Sequence, residues 1–124
     1  CAYPDEITVT VSLSRHDVYV ARRYRPGSCE YAAIREHEMK HVRANNAVMA
    51  RHRSRIREAV TRAAKRGPEL ASSVERAKSA LIQRLQDSAM RAAENMEEER
   101  TRLHDRIDTR REYERVRAQC SDWD

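Results

Sequence analysis

Between Tyr31 and Arg66 the chain runs thirty-six residues without a proline or a glycine. Strands rarely exceed about 10 residues, so this stretch fits one long helix. A stripe of Ile34, Glu38, His41, Asn45, Val48, His52, Ile56, Ala59 and Ala63 recurs at spacings of three and four, the period of a helix with one face turned inward. At about 1.5 Å per residue such a helix is about 50 Å long. Its start is marked by Pro26 and Gly27, which break the preceding segment, by Ser28 as N-cap, and by Glu30 in the first turn, where the helix dipole favours negative charge. Its end is marked by Gly67 and Pro68.

A second stripe follows at the same period: Val74, Ala77, Leu81, Leu85, Ala89, Ala92, Met96, Glu99, Leu103 and Ile107. Two long helices joined by a short connection pack antiparallel. Thr109-Arg110-Arg111-Glu112 has the form of a capping box and opens a short helix over about residues 110 to 118. Ahead of the helices, residues 7 to 13 read Ile-Thr-Val-Thr-Val-Ser-Leu, and residues 17 to 24 alternate again. Period two predicts strands, and a hairpin centred near residues 14 and 15. The expected class is α+β: a short N-terminal β-hairpin over residues 1–27, a long antiparallel helical hairpin over 28–66 and 68–107, and a short helix and tail over 109–124. At 124 residues the chain reads as a single domain.

The formal net charge is +5, and of 25 basic residues only Lys40, Lys65 and Lys78 are lysines. The 20 acidic residues are interleaved with the arginines, as solvated helix faces require, and no basic stripe with stacking aromatics stands out. Nucleic acid is therefore not an expected partner. No run reaches the length of about 18 apolar residues that a membrane span needs. With no basic-then-apolar leader ahead of Cys1, the chain reads as a soluble or mature form, secreted or periplasmic. Cys1, Cys29 and Cys120 contain no Cys-x-x-Cys pair, which argues against a zinc ribbon and for a disulfide. Cys29 pairs with Cys120 or with Cys1; the odd thiol stays free, links two chains, or makes Cys1 a lipid anchor point.

The chemistry concentrates in His37-Glu38-Met39-Lys40-His41. Two histidines four apart on a helix share a face, and both imidazoles reach one ion at about 2.0 to 2.1 Å. Glu38 beside them has the chemistry of a general base for a metal-bound water. A histidine pair turned into a helix interface also needs partners, because an unsatisfied buried polar group costs about 1 to 3 kcal/mol.

The order of strand then His-Glu-x-x-His helix resembles the zincin metallopeptidases. More narrowly, Gly27-Ser28-Cys29-Glu30-Tyr31 followed by Arg35-Glu36-His37-Glu38-Met39-Lys40-His41-Val42 is similar to a family of bacterial exported domains described as zinc proteases, over residues 7 to 45. The resemblance implies Zn2+, a bound water and peptide-bond hydrolysis, carried by His37, Glu38 and His41. It does not extend to the metzincin signature, whose glycine falls at Ala44 and whose third histidine falls at Ala47.

A third ligand has to come from elsewhere. His52 lies eleven residues from His41 on the same helix, about 16 Å away along the axis. Folding the helices back at Gly67 and Pro68 sets His37 and His41 opposite about residues 94 to 101. Glu99, on the apolar stripe, is the first candidate and gives a gluzincin-like site; His104, Asp105 and Glu98 are alternatives. The competing reading makes residues 97–99 a solvated acidic run. Tyr113 or His104 is a candidate oxyanion donor. Two functions remain open: a zinc peptidase acting on an extended peptide or protein, or a non-enzymatic helical module with a structural or vestigial zinc site that contacts a protein partner along its long helices. A third, weaker possibility is salt-sensitive attraction to an acidic surface.

Overall fold

The computed structural model describes residues 1–13 and 15–123. It holds three helices in chain order, α1 (Cys29–Ala64), α2 (Val74–Ile107) and α3 (Arg110–Arg117), and no strand among the described residues. The fold is all-helical, and the expected N-terminal β-hairpin is not formed. Residues 7–13 and 17–20 belong to no helix, strand or turn; among the described residues the single β-bridge joins Ala2 and Glu69 through reciprocal bonds of 2.9 and 2.7 Å.

The physical reason is that period two does not specify a strand neighbour, and residues 7–11 lie instead beside Arg53, Ile56, Arg57, Val60 and Thr61 of α1. A tight hairpin also needs positive-φ turn chemistry such as Asn-Gly, which Leu13, Arg15 and His16 do not supply. The expected centre of the hairpin at Ser14 lies outside the described residues, as does Asp124 of the tail.

The helix ends follow local chemistry. Ser28 Oγ accepts the backbone N–H of Tyr31 at 3.1 Å, and Gly27 precedes it at φ 94°. At the other end Gly67 takes φ 97°, a conformation that suits a residue without Cβ. α2 begins only at Val74 because Ser73 caps it: its Oγ accepts from Arg76 N at 3.2 Å and its carbonyl from Ala77 N at 3.1 Å. Residues 68–73 therefore form a connector.

The chain divides into two compact units. The first comprises Cys1–Ser12 and Met49–Glu98. There Ile56, Val60 and Ala63 of α1 and Ala77 and Leu81 of α2 are buried, with His52 also buried. The two helix segments run antiparallel, with Ser88 Oγ donating to the Ala59 carbonyl at 2.9 Å. Arg84 holds the connector, donating to the Gly67 carbonyl at 2.7 Å and pairing with Glu69 at 2.8 Å.

The second unit comprises Leu13–Val48 and Glu99–Asp124. Its core holds Ala33, Val48 and Val116, and with them two polar residues, His37 and Asn45, each 6% exposed. A disulfide joins Cys29 to Cys120, with Cα atoms 5.9 Å apart, and Cys1 is a free, exposed thiol. Beyond the disulfide, Trp123 Nε1 donates to the carbonyls of Arg117 (2.7 Å) and Cys120 (3.1 Å), while its ring meets the Tyr24 ring edge-on at 5.9 Å. No described helix is long and apolar enough to cross a membrane.

Candidate metal centre

α1 places His37 and His41 one turn apart, facing the end of α2 and the start of α3. There the chain breaks at Asp108, and Thr109 caps α3 by accepting the Glu112 N–H at 3.2 Å. The break turns the Asp108 carboxylate back onto the histidines: its Oδ1 lies 3.2 Å from His37 Nε2 and 3.0 Å from His41 Nε2. The ligand atoms of these three residues all lie within 4.8 Å of one another. Donors around a tetrahedral zinc at about 2.05 Å are separated by about 3.3 Å, a spacing that the two distances to Asp108 match. Two imidazoles and a carboxylate suit zinc in a site with one position left open.

The opposite edge of each imidazole is also held. His37 Nδ1 faces the Glu112 carboxylate at 3.4 Å. That carboxylate also takes a bond from Lys40 at 2.5 Å and two from Arg115 at 2.9 Å. The Arg115 guanidinium first, then Lys40, keep the Glu112 carboxyl far below its ordinary range. The expected capping box is thus only half made. Thr109 caps the helix, but the Glu112 side chain is turned to His37, and the Thr109 N–H goes to the Ile107 carbonyl at 2.9 Å.

His41 Nδ1 meets His104 Nδ1 at 3.0 Å, and His104 Nε2 meets Asn45 Oδ1 at 2.8 Å. The Asn45 amide nitrogen in turn faces His16 Nε2 at 3.4 Å. A neutral His104 has one N–H, which the Asn45 oxygen fixes on Nε2, leaving Nδ1 to accept from His41. With an ion bound, each candidate ligand would keep its Nδ1 hydrogen on the far side and turn its Nε2 lone pair to the ion beside Asp108; without one, His41 Nε2 lies within hydrogen-bond distance of Asp108 Oδ1, at 3.0 Å.

Tyr113, one turn into α3, completes this wall. Its hydroxyl donates to Asp108 Oδ1 at 3.2 Å and its ring packs 5.5 Å from that of His37. Burial first, then the negative charge of Asp108 and the bond to it, raise the Tyr113 pKa above its ordinary value, with Glu38 adding to the effect. Tyr113 thus remains a neutral donor. The cluster opens into a cleft of about 590 Å³ lined by Glu38, His41, Asp108, Tyr113, Val18 and Trp123, among others.

His37, Glu38 and His41 line one cleft. The carboxylate in reach of both histidines is Asp108. Glu99 is half-buried on α2, nine residues before Asp108 and about 13 Å back along the helix; Glu98 and Asp105 are exposed, and none of these three belongs to the cluster. His104 lies behind His41, on the Nδ1 side, where it supports the ring. The roles of Asp108, Asn45 and Glu112 are not apparent from motif spacing. The available signals were an aspartate at the junction of two helices and an asparagine one turn after His41 on the inward stripe. No family model matches the chain, nor does any curated protein or solved structure.

Proposed function

We propose that this chain is a zinc-dependent peptidase, with zinc held by His37, His41 and Asp108 and with Glu38 as general base. The observation that carries the reading is the convergence of both Nε2 atoms on Asp108 Oδ1, with each Nδ1 already engaged on its far side. Structural zinc sites use four protein ligands, whereas three leave a position for water and substrate.

Bound zinc would lower the pKa of a coordinated water and polarise the scissile carbonyl. The protein's own groups have separable tasks. Glu38, on the cleft wall, takes the proton released from the attacking water at its carboxylate and returns it to the leaving amine. Tyr113 holds its phenolic proton at Oη, available to the oxyanion that develops on the carbonyl. Glu112 and His104 hold the two imidazoles in register, and Val18 and Trp123 supply apolar walls for substrate side chains. The disulfide fits an oxidising compartment, in keeping with an exported protein and with the resemblance to exported zinc proteases.

The test pairs metal content with turnover. Protein loaded with zinc and exhaustively dialysed should retain about one zinc per chain and cleave an unstructured protein substrate. Glu38→Gln should keep the zinc and lose cleavage, whereas His41→Ala should lose both. Zinc retained without cleavage by the native chain would instead support the helical module with a structural metal. No zinc in the native chain would remove the metal reading altogether.

A further inference from the structure

The first unit contains a groove that shares no residue with the histidine site. Residues 7–11, which belong to no helix, strand or turn, line it opposite Arg53, Ile56, Arg57, Val60 and Thr61 of α1, and together they enclose about 470 Å³. From Arg53 to Thr61 the helix rises about 12 Å, the length that five residues reach in a strand, about 13 Å.

Both walls carry unused binding capacity. Ile-Thr-Val-Thr-Val is a strongly strand-forming sequence, yet residues 7–11 make no backbone–backbone hydrogen bond among the described residues. Their N–H and C=O groups have no backbone partner among the described residues, the condition under which a segment recruits another strand. Arg53 and Arg57 are exposed and make no ion pair among the described residues. Residues 51–66 hold seven basic side chains against the single acid Glu58, so the local field favours an anion.

We propose that this groove binds an extended acidic peptide, which adds to residues 7–11 as a strand and presents carboxylates to Arg53 and Arg57. The spacing supports the pairing. Arginines four apart on a helix are separated by about 6 Å along its axis, and alternate residues of a strand by about 6.7 Å. Acidic residues at positions i and i+2 therefore meet both guanidiniums, each able to take a carboxylate bidentately. Main-chain bonds supply affinity and the arginines supply selection, as in other strand-addition sites. A nucleic acid or lipid headgroup has no alternating N–H and C=O to pair with residues 7–11, and no aromatic side chain lines the groove to stack a base.

The experiment is fluorescence anisotropy with a labelled peptide of alternating valine and glutamate. Saturable binding is expected, weakened about tenfold or more by Arg53→Glu with Arg57→Glu and absent for the valine–lysine peptide. N-methylating alternate peptide bonds should abolish binding in one phase and spare it in the other, because only one edge of the peptide pairs. That arm uses the native protein, so it stands even if the charge-reversed variant fails to fold by circular dichroism. The proposal is overturned by absence of saturable binding or by indifference to N-methylation in both phases. Anionic vesicles or a polyanion competing as tightly as the peptide would also overturn it. So would concentration-dependent dimerisation that the peptide displaces, which would assign residues 7–11 to a second copy.

Discussion

The Nδ1 atoms of His41 and His104 stand 3.0 Å apart and His104 Nε2 stands 2.8 Å from Asn45 Oδ1, so a hydrogen on His104 Nε2 leaves its Nδ1 to accept from His41. His104 and Asn45 thus bear on the tautomer of one candidate ligand. Substituting His104→Phe or Asn45→Leu should weaken zinc binding about 10- to 100-fold while full occupancy remains attainable at high zinc. Competition against a chromophoric chelator measures this; unchanged affinity in both variants would show that the relay does not act on the metal.

Asp108 and Glu99 make opposite predictions. Asp108→Ala should reduce zinc content to near zero after dialysis, since two imidazoles alone hold the ion weakly, whereas Glu99→Gln should leave about one zinc per chain. The reverse pattern, read by mass spectrometry of the metal, would place the third ligand on α2 instead.

The difference between those two residues shows where sequence reasoning reached and where it stopped. Helical period, Ser28 and the Gly67-Pro68 break define α1 closely, and spacing alone brings His37 and His41 to one face with Glu38 beside them. The facing register is another matter, because it depends on the length of the connector. A turn at Gly67 and Pro68 sets His41 opposite residues near 94, but Ser73 delays α2, and His41 meets His104 instead. That shift of two turns or more moves Glu99 out of reach and brings in Asp108. The alternation in residues 7–13 misled in a different way: Ile7 and Val9 are exposed and only Val11 and Leu13 are half-buried, and period two does not tell a strand neighbour from a helix.

Acid should act through Glu112. Its carboxyl is depressed by Arg115, then Lys40, so its contribution to stability is complete above the ordinary value of 4.5 and is lost as pH falls toward the folded value. Metal-free Glu112→Gln should be less stable than the native chain near neutrality and converge with it toward about pH 2. Urea midpoints across that range test the sign; a pH-independent gap would assign the loss to packing.

Removing the disulfide should be costly, because Cys29 and Cys120 are 91 residues apart. Closing a loop of that size restricts the unfolded chain by about 4 to 5 kcal/mol in the entropy model. The Cys29→Ala, Cys120→Ala chain should show a loss of that order in denaturant, and a loss below about 1 kcal/mol would contradict it.

The same bond decides what happens when the chain is cut. Connector residues 68–73 lie between the two cysteines, so a protease that nicks there produces two fragments that remain one covalent molecule until a reductant is added. Such a nick would pass unseen on a non-reducing gel, and the cluster of His37, His41 and Asp108 would stay in one piece, since both of its contributing segments are tied by the disulfide on the far side of the cut.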